Sequence, residues 1–122
     1  MLSTYYYVKI FPNKIVARNL SSGRTAQVVP ETPYLHPRLL IGNITAAEIA
    51  LTKALSQVKS SNPLKAIRIL IHPIAEFPGG ISEGEERLFR QLAYDSLAGQ
   101  VVFWAGPDLS DDQVVEKIKH GK

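Results

Sequence analysis

The sequence predicts an α/β fold: a mixed sheet of about five strands with helices packed on it, in the order β-β-β-α-β-α-β-α. Three observations lead there. Residues 5–29 are rich in aromatic and β-branched side chains and are broken twice by turn signals, Pro12-Asn13 and Ser21-Ser22-Gly23. From Thr45 onward, apolar runs alternate with helix-start signals, the pattern of parallel strands joined by right-handed helical crossovers. The chain has 122 residues, 45% of them apolar, with no linker-like stretch, which is the scale of a single domain over residues 1–122.

Taken in order, residues 5–11 suit a strand. Residues 14–20 alternate, with Ile15, Ala17 and Asn19 on one face and Val16, Arg18 and Leu20 on the other. Residues 25–29 form a third β-prone run, so the front of the chain reads as a three-stranded meander. Residues 30–37 hold three prolines and read as extended loop; residues 38–41 read as a short strand or a lead into a helix, with Gly42-Asn43 as a turn. Thr45 and Glu48 have the spacing of a capping box, and Ala47, Leu51, Ala54, Leu55 and Val58 fall on one face of the helix that follows. Residues 66–71 are an apolar run carrying Arg68, read as a buried strand.

Pro78-Gly79-Gly80 marks a loop before a second capping box, Ser82 with Glu85. Glu83 and Glu86 sit in the first turn, where the helix dipole favours acids. Leu88, Phe89, Leu92 and Ser96 share a face, and Gly99 is expected just past the helix end. Residues 100–105 read as a strand stopped by Pro107. Ser110 and Gln113 give a third capping box, stapled by Leu109 and Val114, on a helix reaching His120.

Composition excludes several classes of function. With no cysteine, disulfide scaffolds and thiolate metal sites are out. No run approaches the roughly 18 apolar residues of a spanning helix, so no membrane insertion is expected. The N-terminus lacks the early positive charge and cleavage site of a signal peptide, and a cytoplasmic location is the expectation. Fourteen Lys and Arg against eleven Asp and Glu give a net charge of +3. The one basic concentration, Lys117, Lys119, His120 and Lys122, suits a solvated last helical turn. A weak nucleic-acid-binding module is the alternative that this charge leaves open.

Few residues suggest chemistry. His72 ends a buried strand, where ligands gather in open α/β sheets, and Glu76 follows four residues on. Gly79 and Gly80 precede a helix start that could hold an anion, but Glu83, Glu85 and Glu86 crowd it. These four positions, His72, Glu76, Gly79 and Gly80, are the candidate small-ligand end of the sheet. No triad or metal set is evident. The first strand carries no acid, against the converging carboxylates of a metal-dependent nuclease. Tyr5, Tyr6 and Tyr7 are consecutive, so they must occupy both faces of a strand. One face belongs to the core; the other makes these tyrosines a candidate partner surface.

Three stretches are more specific: His36-Pro37-Arg38-Leu39-Leu40-Ile41-Gly42-Asn43-Ile44-Thr45 running into the Glu48 helix; Ala66-Ile67-Arg68-Ile69-Leu70-Ile71-His72-Pro73; and residues 83–90 followed by Gln100-Val101-Val102-Phe103. Their order and character resemble the first subdomain of the bacterial rod-shape-determining actin family (MreB), within the ribonuclease H-like and actin-like superfamily. The resemblance covers residues 36–107, with the front hairpin matching in outline. It implies the fold of one actin-like subdomain. It also locates a departure. The family's phosphate turn, between the first two strands, is glycine-rich and acidic, whereas here it is Phe11-Pro12-Asn13-Lys14, and proline removes an amide donor. The second phosphate turn and the adenosine pocket of such proteins lie in a half that 122 residues do not contain.

The expectation is therefore a non-catalytic actin-like subdomain without a cofactor, acting through protein contact. The resemblance points to bacterial cell-shape or filament proteins as partners. A second copy of the chain is an alternative partner, since a two-fold dimer is the commonest closed assembly.

Overall fold

A computed structural model describes residues 3–32, 43–60, 66–74, 81–96 and 98–121. Its elements are β1 (Ser3–Phe11), β2 (Lys14–Asn19), β3 (Thr25–Val28), α1 (Ile44–Val58), β4 (Ala66–Pro73), α2 (Glu83–Tyr94), β5 (Gln100–Phe103) and α3 (Asp111–His120). This is the order read from the sequence. The strands form one mixed sheet in the order β3-β2-β1-β4-β5. β1–β2 and β2–β3 are antiparallel, while β1–β4 and β4–β5 are parallel.

Strand alternation builds three layers. Tyr6, Val8 and Ile10 of β1, Ile15 and Ala17 of β2, and Ile69 and Ile71 of β4 meet the apolar faces of α1 and α2. Tyr7, Leu70 and Val102 point to the opposite face, where Val114 and Ile118 of α3 cover them. The alternation expected for β2 holds, with Ile15, Ala17 and Asn19 buried in turn. All five apolar positions expected on α1 are buried: Ala47, Leu51, Ala54, Leu55 and Val58.

Local chemistry explains the boundaries. The β1–β2 turn closes on Pro12-Asn13, with Asn13 at φ 52°, a conformation asparagine tolerates better than most residues. The next turn uses Gly23 at φ 75°. Ser82 and Ser110 cap α2 and α3 with reciprocal capping boxes to Glu85 and Gln113, as expected.

Two expectations need correction. The Thr45–Glu48 capping box does not start α1. Asn43 does, its Oδ1 accepting from the Ala46 amide at 3.0 Å, because asparagine is at least as good a cap and lies at the right spacing. Gly99 does not close α2, which ends at Tyr94 with the Asp95 amide donating to the Gln91 carbonyl. Gly99 instead donates to the Ile67 carbonyl at 2.8 Å and leads the chain into β5. The short strand or lead-in expected over residues 38–41 lies outside the described residues.

Candidate interaction surface

The three tyrosines divide between the two sides of the sheet. Tyr6 is 2% exposed in the α1–α2 layer, and its hydroxyl accepts from the Ser60 amide at 3.2 Å. Tyr7 is 4% exposed on the α3 side, and Tyr5 is half-buried against the same cluster. The candidate partner surface at Tyr5, Tyr6 and Tyr7 is thus corrected at two of its positions: helices cover both faces of β1, so Tyr6 and Tyr7 are interior, while Tyr5 keeps part of its surface. Sequence alternation showed that both faces were used but not that α3 would roof the second.

At the other end of the parallel strands, His72 is buried and doubly bonded. Its Nε2 lies 2.8 Å from the Gly106 carbonyl, which can only accept, so Nε2 carries the proton. Nδ1 then accepts from the Tyr7 hydroxyl at 2.7 Å. The same hydroxyl oxygen accepts from the Leu109 amide at 3.3 Å. Burial holds the His72 ring below its ordinary pKa, against the Gly106 bond and the Asp108 charge, which favour the cation. Burial likewise pushes the Tyr7 phenol up. With both nitrogens engaged, His72 ties the segment before α3 to the sheet and offers no lone pair to a ligand. Its expected companions Glu76, Gly79 and Gly80 lie outside the described residues. Among the described residues no group of three His, Asp or Glu could hold a metal ion.

The turn Phe11-Pro12-Asn13-Lys14 is a tight hairpin link, with Lys14 Nζ 4.3 Å from the Phe11 ring centroid. The C-terminal cations are also placed locally. Lys117 Nζ sits 3.9 Å from the Trp104 ring centroid, and His120 lies 3.2 Å from Glu116.

The apolar surface is at the sheet edge instead. β3 is the last described strand on its side, and α1 packs behind it. Ala26 and Val28 point toward α1 and are buried. Val29 and Ile49 remain 65% and 64% exposed, and Ile44 is also exposed. Val29 and Ile49 flank a cavity of about 220 Å³ together with Val28, Pro30, Ala46 and Lys53. The hairpin bond from the Asn19 amide to the Arg24 carbonyl fixes the ladder phase. By alternation, Thr25 and Gln27 turn their backbone groups to the outer side of β3. A protein segment could use both features, main-chain bonding along the edge and apolar contact in the groove. In the sequence Val29 ends the third β-prone run and Ile49 lies off the apolar face read for α1; the position of β3 in the sheet order brings them together as a surface.

Asn19 is a further residue that sequence reading missed. It is 3% exposed, its Nδ2 donates to the Val58 carbonyl at 2.8 Å, and its Oδ1 accepts from the Ser21 and Ser22 amides. One side chain thereby ends β2, shapes the β2–β3 turn and holds the C-terminus of α1.

No family model and no curated protein matches the chain. Among solved structures it is similar to a non-polymerising mutant of MamK bound to AMPPNP, with a TM-score of 0.61 at 12% sequence identity. The match covers 85% of this chain and 41% of that one. The fold is that of an actin-like subdomain. Among the described residues, no helix is long and apolar enough to cross a membrane.

Proposed function

We propose that this chain is an actin-like subdomain that works by protein contact, and that it does not hydrolyse a nucleotide. The observation that carries the reading is the β3–α1 edge, which no other described strand continues and where Val29 and Ile49 expose apolar surface beside an outward-facing strand. The non-catalytic part rests on the β1–β2 turn. Backbone amides of such a turn cradle phosphates in actin-like ATPases, but here Pro12 has no amide and the turn carries no carboxylate. Fold and resemblance together suggest an actin-like filament protein, of the class that determines bacterial cell shape, as the partner; this step is analogy from fold.

The test is capture of partners from lysate by the full chain and by its Ile49→Glu variant, with nuclease present and at low and high salt. A discrete protein bound by the wild type, surviving nuclease and salt, and lost with Ile49→Glu supports the reading. Recovery of nucleic acid alone, lost as salt rises, contradicts it and favours the basic-module alternative. Magnesium–ATP should leave the melting temperature of the purified chain unchanged.

A further inference from the structure

His72, Tyr7, Gly106 and Leu109 join three parts of the chain that are distant in sequence: β1, β4 and the segment that leads into α3. The His72 side chain is 1% exposed, and its ring lies parallel to that of Tyr7, with 5.8 Å between centroids and 3° between planes. Every polar atom in the set is used in one direction. Nε2–H donates to Gly106, Nδ1 accepts from Tyr7, and the Tyr7 oxygen accepts from Leu109.

A second proton on the ring reverses one of these bonds. Nδ1 becomes a donor, so the Tyr7 hydroxyl must swing its own proton away and accept from Nδ1–H as well as from the Leu109 amide. The hydroxyl proton then has no acceptor among these groups, and a cation sits in a position largely withdrawn from water. Both changes oppose the closed arrangement. Gly106 lets the segment fold closely over the Trp104 ring, from which an added Cβ would lie only 2.7 Å.

We propose that this set is an acid-sensitive latch: protonation of His72 releases residues 104–110 from the sheet while the α1–α2 layer stays folded. Among the described residues, few charges lie around it. β1 contributes Lys9 and the segment before α3 contributes Asp108, and these two pair with each other at 3.3 Å. On α3, Asp111 is held by Arg18 at 2.9 Å and Lys117 by the Trp104 ring, so neither is engaged with His72. The Arg18 guanidinium keeps the Asp111 carboxyl below its usual range, so that bridge persists in mild acid and tethers α3 after the latch opens. Opening would uncover Tyr7 and Leu70, the apolar residues of β1 and β4 beneath the segment, and carry Trp104 away from them.

The sign follows from His72 binding its proton less readily in the folded chain than in the unfolded one. The latch is at full strength above the unfolded value of about 6.5 and weakens as pH falls below it toward the depressed folded value.

The test is native-state hydrogen exchange of the full chain between pH 7.5 and 5.5, corrected for intrinsic rates. The Leu109 amide should lose protection by up to about tenfold per pH unit, the limit for one linked proton. Val8 and Ile71, in the paired strands β1 and β4, should hold theirs. A flat Leu109 profile overturns the proposal, and so does equal loss at Leu109, Val8 and Ile71, which would report global unfolding. His72→Gln keeps an amide donor and an acceptor without a titrating ring, and should flatten the profile; an unchanged profile in that variant overturns the proposal. Should His72→Gln fail to fold, ring-nitrogen NMR of the wild type decides. A His72 transition coinciding with the Leu109 change supports the latch, and one that does not coincide overturns it.

Discussion

Single side chains join parts of this molecule that the sequence does not connect. Asn19 satisfies three backbone groups from a buried position between the β2–β3 turn and the end of α1. Asn19→Ala leaves the Val58 carbonyl and two amides without this partner and should cost about 1–3 kcal/mol in urea unfolding, more than an average surface change. Arg18 and Asp111 act across a similar gap, β2 to the start of α3, by a two-toothed contact at 2.9–3.3 Å. Because the Asp111 carboxyl is depressed in the folded chain, its contribution is present above the ordinary carboxylate range and is lost as pH falls through the folded value. Both partners are substantially solvent-exposed, so the contribution is small and screened by salt. Arg18→Gln should flatten the acid limb of the stability profile below about pH 4 and change little at neutral pH.

At the scale of elements, capping decides where the helices begin. Ser82→Ala and Ser110→Ala each remove an acceptor from a reciprocal box and should destabilise by about 0.5–2 kcal/mol, read by thermal unfolding. Both boxes were legible because Ser-x-x-Glu and Ser-x-x-Gln stand immediately before amphipathic runs. Thr45 and Glu48 imitate the same spacing at the start of α1, and only the backbone path shows that the Asn43 side chain already holds the Ala46 amide. The strand–helix order was legible from periodicity. The sheet order was not, because putting β4 beside β1 is a long-range pairing that no local pattern encodes. The same limit explains the tyrosines. Alternation assigns Tyr5 and Tyr7 to one face and Tyr6 to the other, but whether a helix covers the second face depends on where α3 returns.

For the whole molecule, the two sheet faces are unequal. α1 and α2 bury the larger cluster, and α3 alone covers the smaller one. Among the described residues the sheet ends at β3, where apolar side chains meet an outward-facing strand. This surface was not legible in the sequence for a physical reason: helical periodicity leaves Ile49 off the buried face of α1, but only the placing of β3 beside α1 puts Val29 next to it. Since both are well exposed, Val29→Glu and Ile49→Glu should leave stability within about 0.5 kcal/mol while weakening association. Loss of fold in either variant would mean that the edge is covered by the chain itself.

The measurement that tests the protein-contact account most directly is site-specific photo-crosslinking in lysate. A photoreactive amino acid replaces Ile49 at the β3–α1 edge or, in a control, exposed Glu116 on α3. The account predicts a discrete crosslinked protein from position 49, absent from position 116 and insensitive to nuclease. No adduct from position 49, or the same adducts from both positions, would contradict it.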